Sequence, residues 1–247
     1  MQKKKKEPSF EYLKDGYEEQ GVLQWSERLK ENPAQVLQAC EDAVTHAGGD
    51  ALEEKIAECR DRMLELLGEF CDTLAARTSD IPKPSGIFLS AEERRPAYRA
   101  ICRVLGEAET FRRDLEAAII ELLAVDSLLA RNKRARNEAA RILADVGAAT
   151  RRIPVRNDFF SAHGALRARL TQETERALRV REKLTVLQDK IKIYHEKTLQ
   201  SFCSTVEVSA DMAHDGEACN PLKLIRVCGE LLALTQSVFS QIKSIEI

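Results

Sequence analysis

Apolar residues recur along this chain every three or four positions, the spacing that one face of an α-helix requires. The most regular stretch lies between 101 and 146, where seam positions that are small or apolar except for Asn132 and Arg136 alternate steps of three and four over about six heptads. A second seam of the same kind covers 163–194. No segment shows the period of two that a half-buried strand would have. The pattern therefore predicts an all-α fold, a helical bundle with a long antiparallel coiled-coil hairpin projecting from it.

Capping residues predict where these helices begin. Asn32-Pro33 and Asn220-Pro221 each place an N-cap before a proline, and Ser90 and Glu93 have the spacing of a capping box. Two prolines, Pro82 and Pro84, exclude a helix from the segment before Ser90. The predicted helices cover about 10–31, 34–46, 52–77, from 90 up to Ile153-Pro154, 157–208 and 221–245.

The two long seams must form neighbouring antiparallel helices, because only a short connection near Pro154 joins them. That pairing brings Arg136 opposite Glu173, two polar residues at seam positions where apolar residues are the rule. A charged pair on a seam fixes register at a cost in stability. The alternative is that Arg136 turns outward and the alignment is a coincidence. After Tyr194 the seam shifts by about one residue, to Leu199 and Phe202, which indicates a new packing partner.

The apolar content of the seam predicts the domain organisation. At 101–129 and 180–206 the seam is rich enough in apolar residues to pack with 50–77 and 221–245 as a four-helix bundle. Between about 131 and 180 it holds Asn, Arg, Ala and Glu, so we expect a two-helix arm that protrudes from this bundle of residues 50–247. Residues 10–47 show no sustained seam and are expected to be loosely attached helices, and 1–9 a disordered basic tail.

Charge is distributed unevenly along a chain whose formal net charge is only −2. Residues 131–183 carry 14 Lys and Arg against 6 Asp and Glu, whereas residues 1–130 carry 18 against 26. Arginine donates a fork of hydrogen bonds that suits phosphate. The sequence therefore suggests an anion or nucleic-acid contact on the arm, through Arg131, Lys133, Arg134, Arg141, Arg151, Arg152, Arg156, Arg167 and Arg169. Pairing with the acidic N-terminal half, or plain solvation, would explain the same charges.

Motifs for catalysis and cofactor binding are missing from the sequence: it has no Gly-rich phosphate loop, nucleophile elbow or His-Glu-x-x-His. His163 lies on a seam, where packing is a commoner role than metal ligation. The seven cysteines are odd in number and lack Cys-x-x-Cys spacing, which favours reduced thiols and a cytoplasmic location. We expect no enzyme activity, no cofactor, no metal and no transmembrane segment.

Two functions are the leading hypotheses, ahead of an enzyme whose site the sequence does not reveal. The first is a non-catalytic helical scaffold that binds a protein partner, or a second copy of itself, through its hairpin. The second is a binder of nucleic acid or anionic lipid that uses the arginines of the arm.

Overall fold

The computed structural model describes residues 10–83, 90–215 and 220–246, with side chains from residue 20 onward apart from Ala91. This part of the chain is helical and contains no strand, which confirms the predicted all-α bundle. The tail predicted at 1–9 lies outside the described residues. The helices are α1 (Phe10–Glu31), α2 (Pro33–His46), α3 (Asp50–Ser79), α4 (Ala91–Ala149), α5 (Asn157–Ile193), a π-helix (Tyr194–Leu199), α6 (Gln200–Asp215) and α7 (Pro221–Lys243).

The predicted caps set the helix starts. The Asn32 side chain accepts a hydrogen bond from the Gln35 N–H at 3.3 Å, and the Asn220 side chain accepts from two N–H groups at the start of α7. At the start of α4, Ser90 and Glu93 bond reciprocally, as a capping box requires. The helix before this α7 cap, α6, is longer than predicted. It continues to Asp215, whereas the sequence predicted a helix end at 208, because the buried Ala210 and Ala213 extend its apolar face.

Hydrogen bonds between α4 and α5 show that the two helices are antiparallel. His163 bonds to the Leu143 carbonyl at 2.9 Å, and Arg136 donates to the Thr174 carbonyl at 3.3 Å. From Leu143 back to Arg136 on α4, the partner residue on α5 advances from His163 to Thr174, as it does in an antiparallel pair. The supercoil of a true coiled coil stays a prediction.

The shift of the seam after Tyr194 coincides with the π-helix at Tyr194–Leu199. A π-turn adds one residue to a helix, so it moves every later side chain round by one position. Tyr194, Leu199, Phe202 and Val206 are all buried as a result. The Tyr194 hydroxyl also reaches Thr235 on α7, at 2.6 Å.

The chain forms two compact units. The α3/α7 unit comprises 52–127 and 180–246, and it contains α3, α6, α7 and the adjoining parts of α4 and α5. Phe70 of α3 stacks on Phe111 of α4 at 4.0 Å, and Phe111 meets Tyr194 edge-on. Aromatic and aliphatic side chains fill this core, as the sequence predicted.

The α1/α2 unit comprises 10–51 and 128–179, and it corrects the prediction of a bare two-helix arm. Leu29 of α1 and Val36, Cys40 and Val44 of α2 are fully buried against the seam of α4 and α5. Their partners on the seam are Ala139, Leu143, Val146, Ala149, Phe159 and Leu170. The prediction that 10–47 is loosely attached was wrong for α2, because an Ala-rich seam leaves enough space for a third and fourth helix to approach.

Candidate functional site

The polar seam residues of α4 and α5 hold the turn between α2 and α3. The Asn132 side-chain amide donates to the carbonyls of Ala47 and Gly48, at 3.1 and 2.9 Å. These carbonyls follow the last turn of α2, where helical partners run out. Asn132 therefore caps α2 from a different helix.

Glu173 binds the same turn from α5. Its carboxylate accepts the N–H of Gly49 at 3.2 Å and lies 4.0 Å from the Arg176 guanidinium. Arg176 also forms an ion pair with Asp50, the first residue of α3. A cluster of polar side chains from two helices thus fixes residues 47–50, which we call the turn clasp.

Arg136 and Glu173 reach the predicted register, but their hydrogen bonds go to other groups. Arg136 donates to the Thr174 carbonyl, one residue beyond Glu173. Burial lowers the pKa of Arg136, while the nearby charge of Glu173 acts in the opposite direction. The Nε of Arg136 and the Oδ1 of Asn132 are buried without a hydrogen-bond partner in the described part of the chain. The sequence predicted that Arg136 and Glu173 lie close together, but not that the polar seam residues bind a turn. The break between α2 and α3 at Gly48-Gly49-Asp50 was the sequence feature that could have indicated this turn.

The arginines predicted to contact anions remain on the surface. Two of them have acidic neighbours: Arg141 pairs with Glu138 at 2.6 Å, and Arg156 lies 3.5 Å from Asp158. The others make no ion pair with any side chain that the structure describes, and they lie on several sides of two helices and the turn between them. These exposed residues are Arg131, Lys133, Arg134, Arg151, Arg152, Arg167 and Arg169.

An apolar stripe that the sequence analysis did not identify lies on α4, within the α3/α7 unit. Ile120 and Leu123 are 62% and 52% exposed, and Ala117 and Ala124 adjoin them at spacings of three and four. They are opposite the core positions of the same helix, such as Leu122. We call Ala117, Ile120, Leu123 and Ala124 the α4 stripe. The sequence pattern did not reveal this stripe, because its spacing overlaps that of the core seam on the same helix.

Exposure alone does not distinguish this stripe, and Ile193 on α5 shows why. Ile193 is 55% exposed, but the residues three and four positions away are Asp189, Lys190, Glu196 and Lys197. An isolated apolar side chain among charges is ordinary on a protein surface. The α4 stripe differs because its members adjoin one another.

A groove of about 630 Å³ lies between α6 and α7, also within the α3/α7 unit. Its apolar lining consists of Val208, Met212, Leu224 and Val227, and α6 adds four hydroxyl groups. Val208 is 57% exposed. Lys223 is the charged side chain in the lining.

Metal ligation requires several donor side chains close together, and membrane crossing requires a long apolar helix. His163 is buried, stacks on Phe159 and bonds to a backbone carbonyl, and burial lowers its pKa. Nowhere in 10–83, 90–215 or 220–246 do three His, Cys, Asp or Glu side chains converge as metal ligands would. None of the described helices has the length and apolar composition needed to cross a membrane.

Comparison of the chain with protein-family models, with curated proteins and with solved structures finds no match.

Proposed function

We propose that this protein is a non-catalytic helical scaffold that binds a helical protein partner through its hairpin helix α4. The observation that carries the proposal is the α4 stripe. Its residues follow the spacing by which an amphipathic helix presents anchors to a partner helix. Burying an exposed Ile or Leu side chain contributes about 1.5–3 kcal/mol, and the two alanines allow close approach of a second backbone.

A photo-activated crosslinker tests this proposal in cells that make the protein. Placed at Ile120, it should form covalent adducts with another polypeptide, because that position would be buried in the interface. Placed at Ile193, which is equally exposed but surrounded by charges, it should form few. Equal labelling at both positions would contradict a specific interface on α4.

A second candidate function rests on the exposed arginines of 131–169. Seven basic side chains there have no acidic partner among the described residues, and such cations would attract nucleic acid or anionic lipid. Retention on immobilised RNA should then fall steeply between about 50 and 200 mM salt. Changing Arg131, Lys133 and Arg134 to Gln should weaken retention more than changing Arg95, Arg99 and Arg113, three exposed arginines of the α3/α7 unit. Equal losses would indicate net charge alone.

A further inference from the structure

We infer that the partner of the α4 stripe is a second copy of this chain, which receives the stripe in its groove between α6 and α7. This inference rests on the proposed function, since it names the occupant of the same surface. Both surfaces belong to the α3/α7 unit, and both expose apolar side chains without a partner in the described part of the chain. One is a ridge on a single helix and the other is a groove between two helices, so their shapes are complementary.

The dimensions of the two surfaces agree. The α6 wall of the groove extends from Ser201 to Met212, which is about 16 Å at the helical rise of 1.5 Å per residue. The stripe from Ala117 to Ala124 is about 10 Å long by the same measure. Two turns of α4 therefore fit along the groove. Val208 and Met212 would contact Ile120 and Leu123, while Ala117 and Ala124 leave room for the groove walls.

Charge is complementary as well. Lys223 in the groove makes no ion pair with a described side chain, and the same holds for Glu116, which precedes Ile120 by one turn of the stripe. An ammonium and a carboxylate at matching edges of an apolar contact steer association and set orientation. Two stripes facing each other would instead leave both Lys223 side chains without a role.

A ridge that fits a groove elsewhere on the same molecule makes a heterologous contact. Such contacts join copies head to tail and produce rings or filaments, since each added copy leaves one ridge and one groove free. A contact limited to two turns of one helix is expected to bury less than the roughly 1,200 Å² at which stable interfaces begin. We therefore expect association that depends on concentration and extends beyond a dimer.

Mixing two variants of the full chain tests this arrangement. The ridge variant carries Ile120→Glu and Leu123→Glu, and the groove variant carries Val208→Glu and Met212→Glu. Light scattering after size exclusion should show the wild type growing in mass with concentration. Each variant alone should be monomeric at concentrations where the wild type associates, because its dissociation constant for self-association should be at least about tenfold higher than that of the wild type. Their equimolar mixture should give a 1:1 dimer that grows no further, because one intact ridge and one intact groove remain.

Three further measurements make the result specific. Circular dichroism should show that each variant keeps the helical content of the wild type, as expected for changes at exposed positions. Ile193→Glu should leave the association unchanged. Glu116→Lys and Lys223→Glu should each weaken it, and the chain that carries both changes should recover it.

Two results would overturn the inference. Loss of association in the ridge variant alone, with the groove variant unaffected, would mean that two stripes pair with each other. A wild type that stays monomeric at all concentrations would exclude a second copy as partner. In that case, adducts to other proteins at Ile120 would still support the proposed function, whereas their absence would remove it too.

Discussion

At the scale of single residues, the polar positions on the α4 and α5 seams are explained by the turn that they bind. Glu173 accepts the N–H of Gly49, a buried residue, and this donor would have no acceptor without it. Glu173→Leu should therefore lower the free energy of unfolding by about 1–2 kcal/mol. Glu173→Gln keeps an acceptor oxygen and should cost about half as much. Urea unfolding measures both, and equal losses would mean that the Gly49 bond contributes nothing.

Arg136 should behave differently from Glu173, because its burial is only partly compensated. Its guanidinium makes one hydrogen bond and has a buried Nε without a partner in the described part of the chain. Arg136→Met keeps the length of the side chain and removes the unpaired donor. We expect stability to rise or to fall by less than about 0.5 kcal/mol, since the cost of burying a guanidinium with an unpartnered Nε offsets the gain from its hydrogen bond to Thr174. A loss above about 2 kcal/mol in the same urea titration would show that Arg136 and Glu173 act as a buried pair.

Buried thiols should make the protein sensitive to alkali. Burial raises the pKa of the Cys40 thiol to about 11, and it raises the pKa of Cys59, Cys71, Cys203 and Cys228 as well. In the unfolded chain thiols lose their protons from about pH 8.5, so above that pH the folded state binds more protons than the unfolded state. The free energy of unfolding should then fall as pH rises from about 8.5 to 11.

Cys40→Val tests the largest of these contributions, because valine fills a similar volume and cannot ionise. Between pH 8 and pH 10, the variant should lose less stability than the wild type, by on the order of 1 kcal/mol. Urea unfolding at several pH values measures the difference. Parallel pH profiles would show that Cys40 ionises equally easily in the folded and unfolded states.

At the scale of elements, the π-helix is a place where the chain should tolerate a deletion. Lys197 is exposed within the π-helix, and removing it shortens the step from Tyr194 to the next buried residue from five positions to four. Four is an ordinary step in an α-helix, so Phe202 and Val206 keep facing the core. We expect deletion of Lys197 to cost no more than about 2 kcal/mol, judged by thermal unfolding.

Deletion of Glu182, an exposed residue within regular α5, is the matched control. No extra residue is present there, so the deletion rotates the rest of the helix by about 100° relative to the core. Several core side chains would then be exposed, and a loss above about 4 kcal/mol or a failure to fold should follow. Similar tolerance of both deletions would mean that the π-turn does not correct the phase of the seam.

Elements were predictable from sequence where the signal is local, and less so where it depends on distant partners. The N-caps at Asn32 and Asn220 and the seam of α4 need only neighbouring residues, and each occurs as expected. The packing of α2 on residues 139–149 depends on a contact between positions about a hundred residues apart. The weak apolar face of α2 does not indicate which segment it packs against. The α4 stripe was missed because a helix with two apolar faces resembles one with a single broad face.

At the scale of the whole molecule, each unit has its own core, and the two cores differ in apolar content. In the α3/α7 unit, α4 buries several large side chains, such as Ile101, Phe111 and Leu115, whereas in the α1/α2 unit Leu143 is its one large buried side chain among the described residues, beside Ala139, Val146 and Ala149. A buried methylene contributes about 0.8 kcal/mol, so the apolar burial that opposes local opening is smaller in the alanine-rich stretch. Both stretches lie in the same α-helix, α4, so a difference in their stability would come from side-chain burial and not from the type of helix.

Amide hydrogen exchange should therefore be faster in 131–149 than in 101–125, because local opening there exposes less apolar surface. Val44→Asp, which places a charge in the core of the α1/α2 unit, should accelerate exchange in 131–149 by at least about tenfold and leave 101–125 unchanged. Mass spectrometry of peptides from both stretches in one sample supplies the control, since solvent conditions are identical. Equal protection in the wild type would mean that α1 and α2 compensate fully for the alanines. Acceleration of both stretches by Val44→Asp would mean that the two cores open together, as a single cooperative structure.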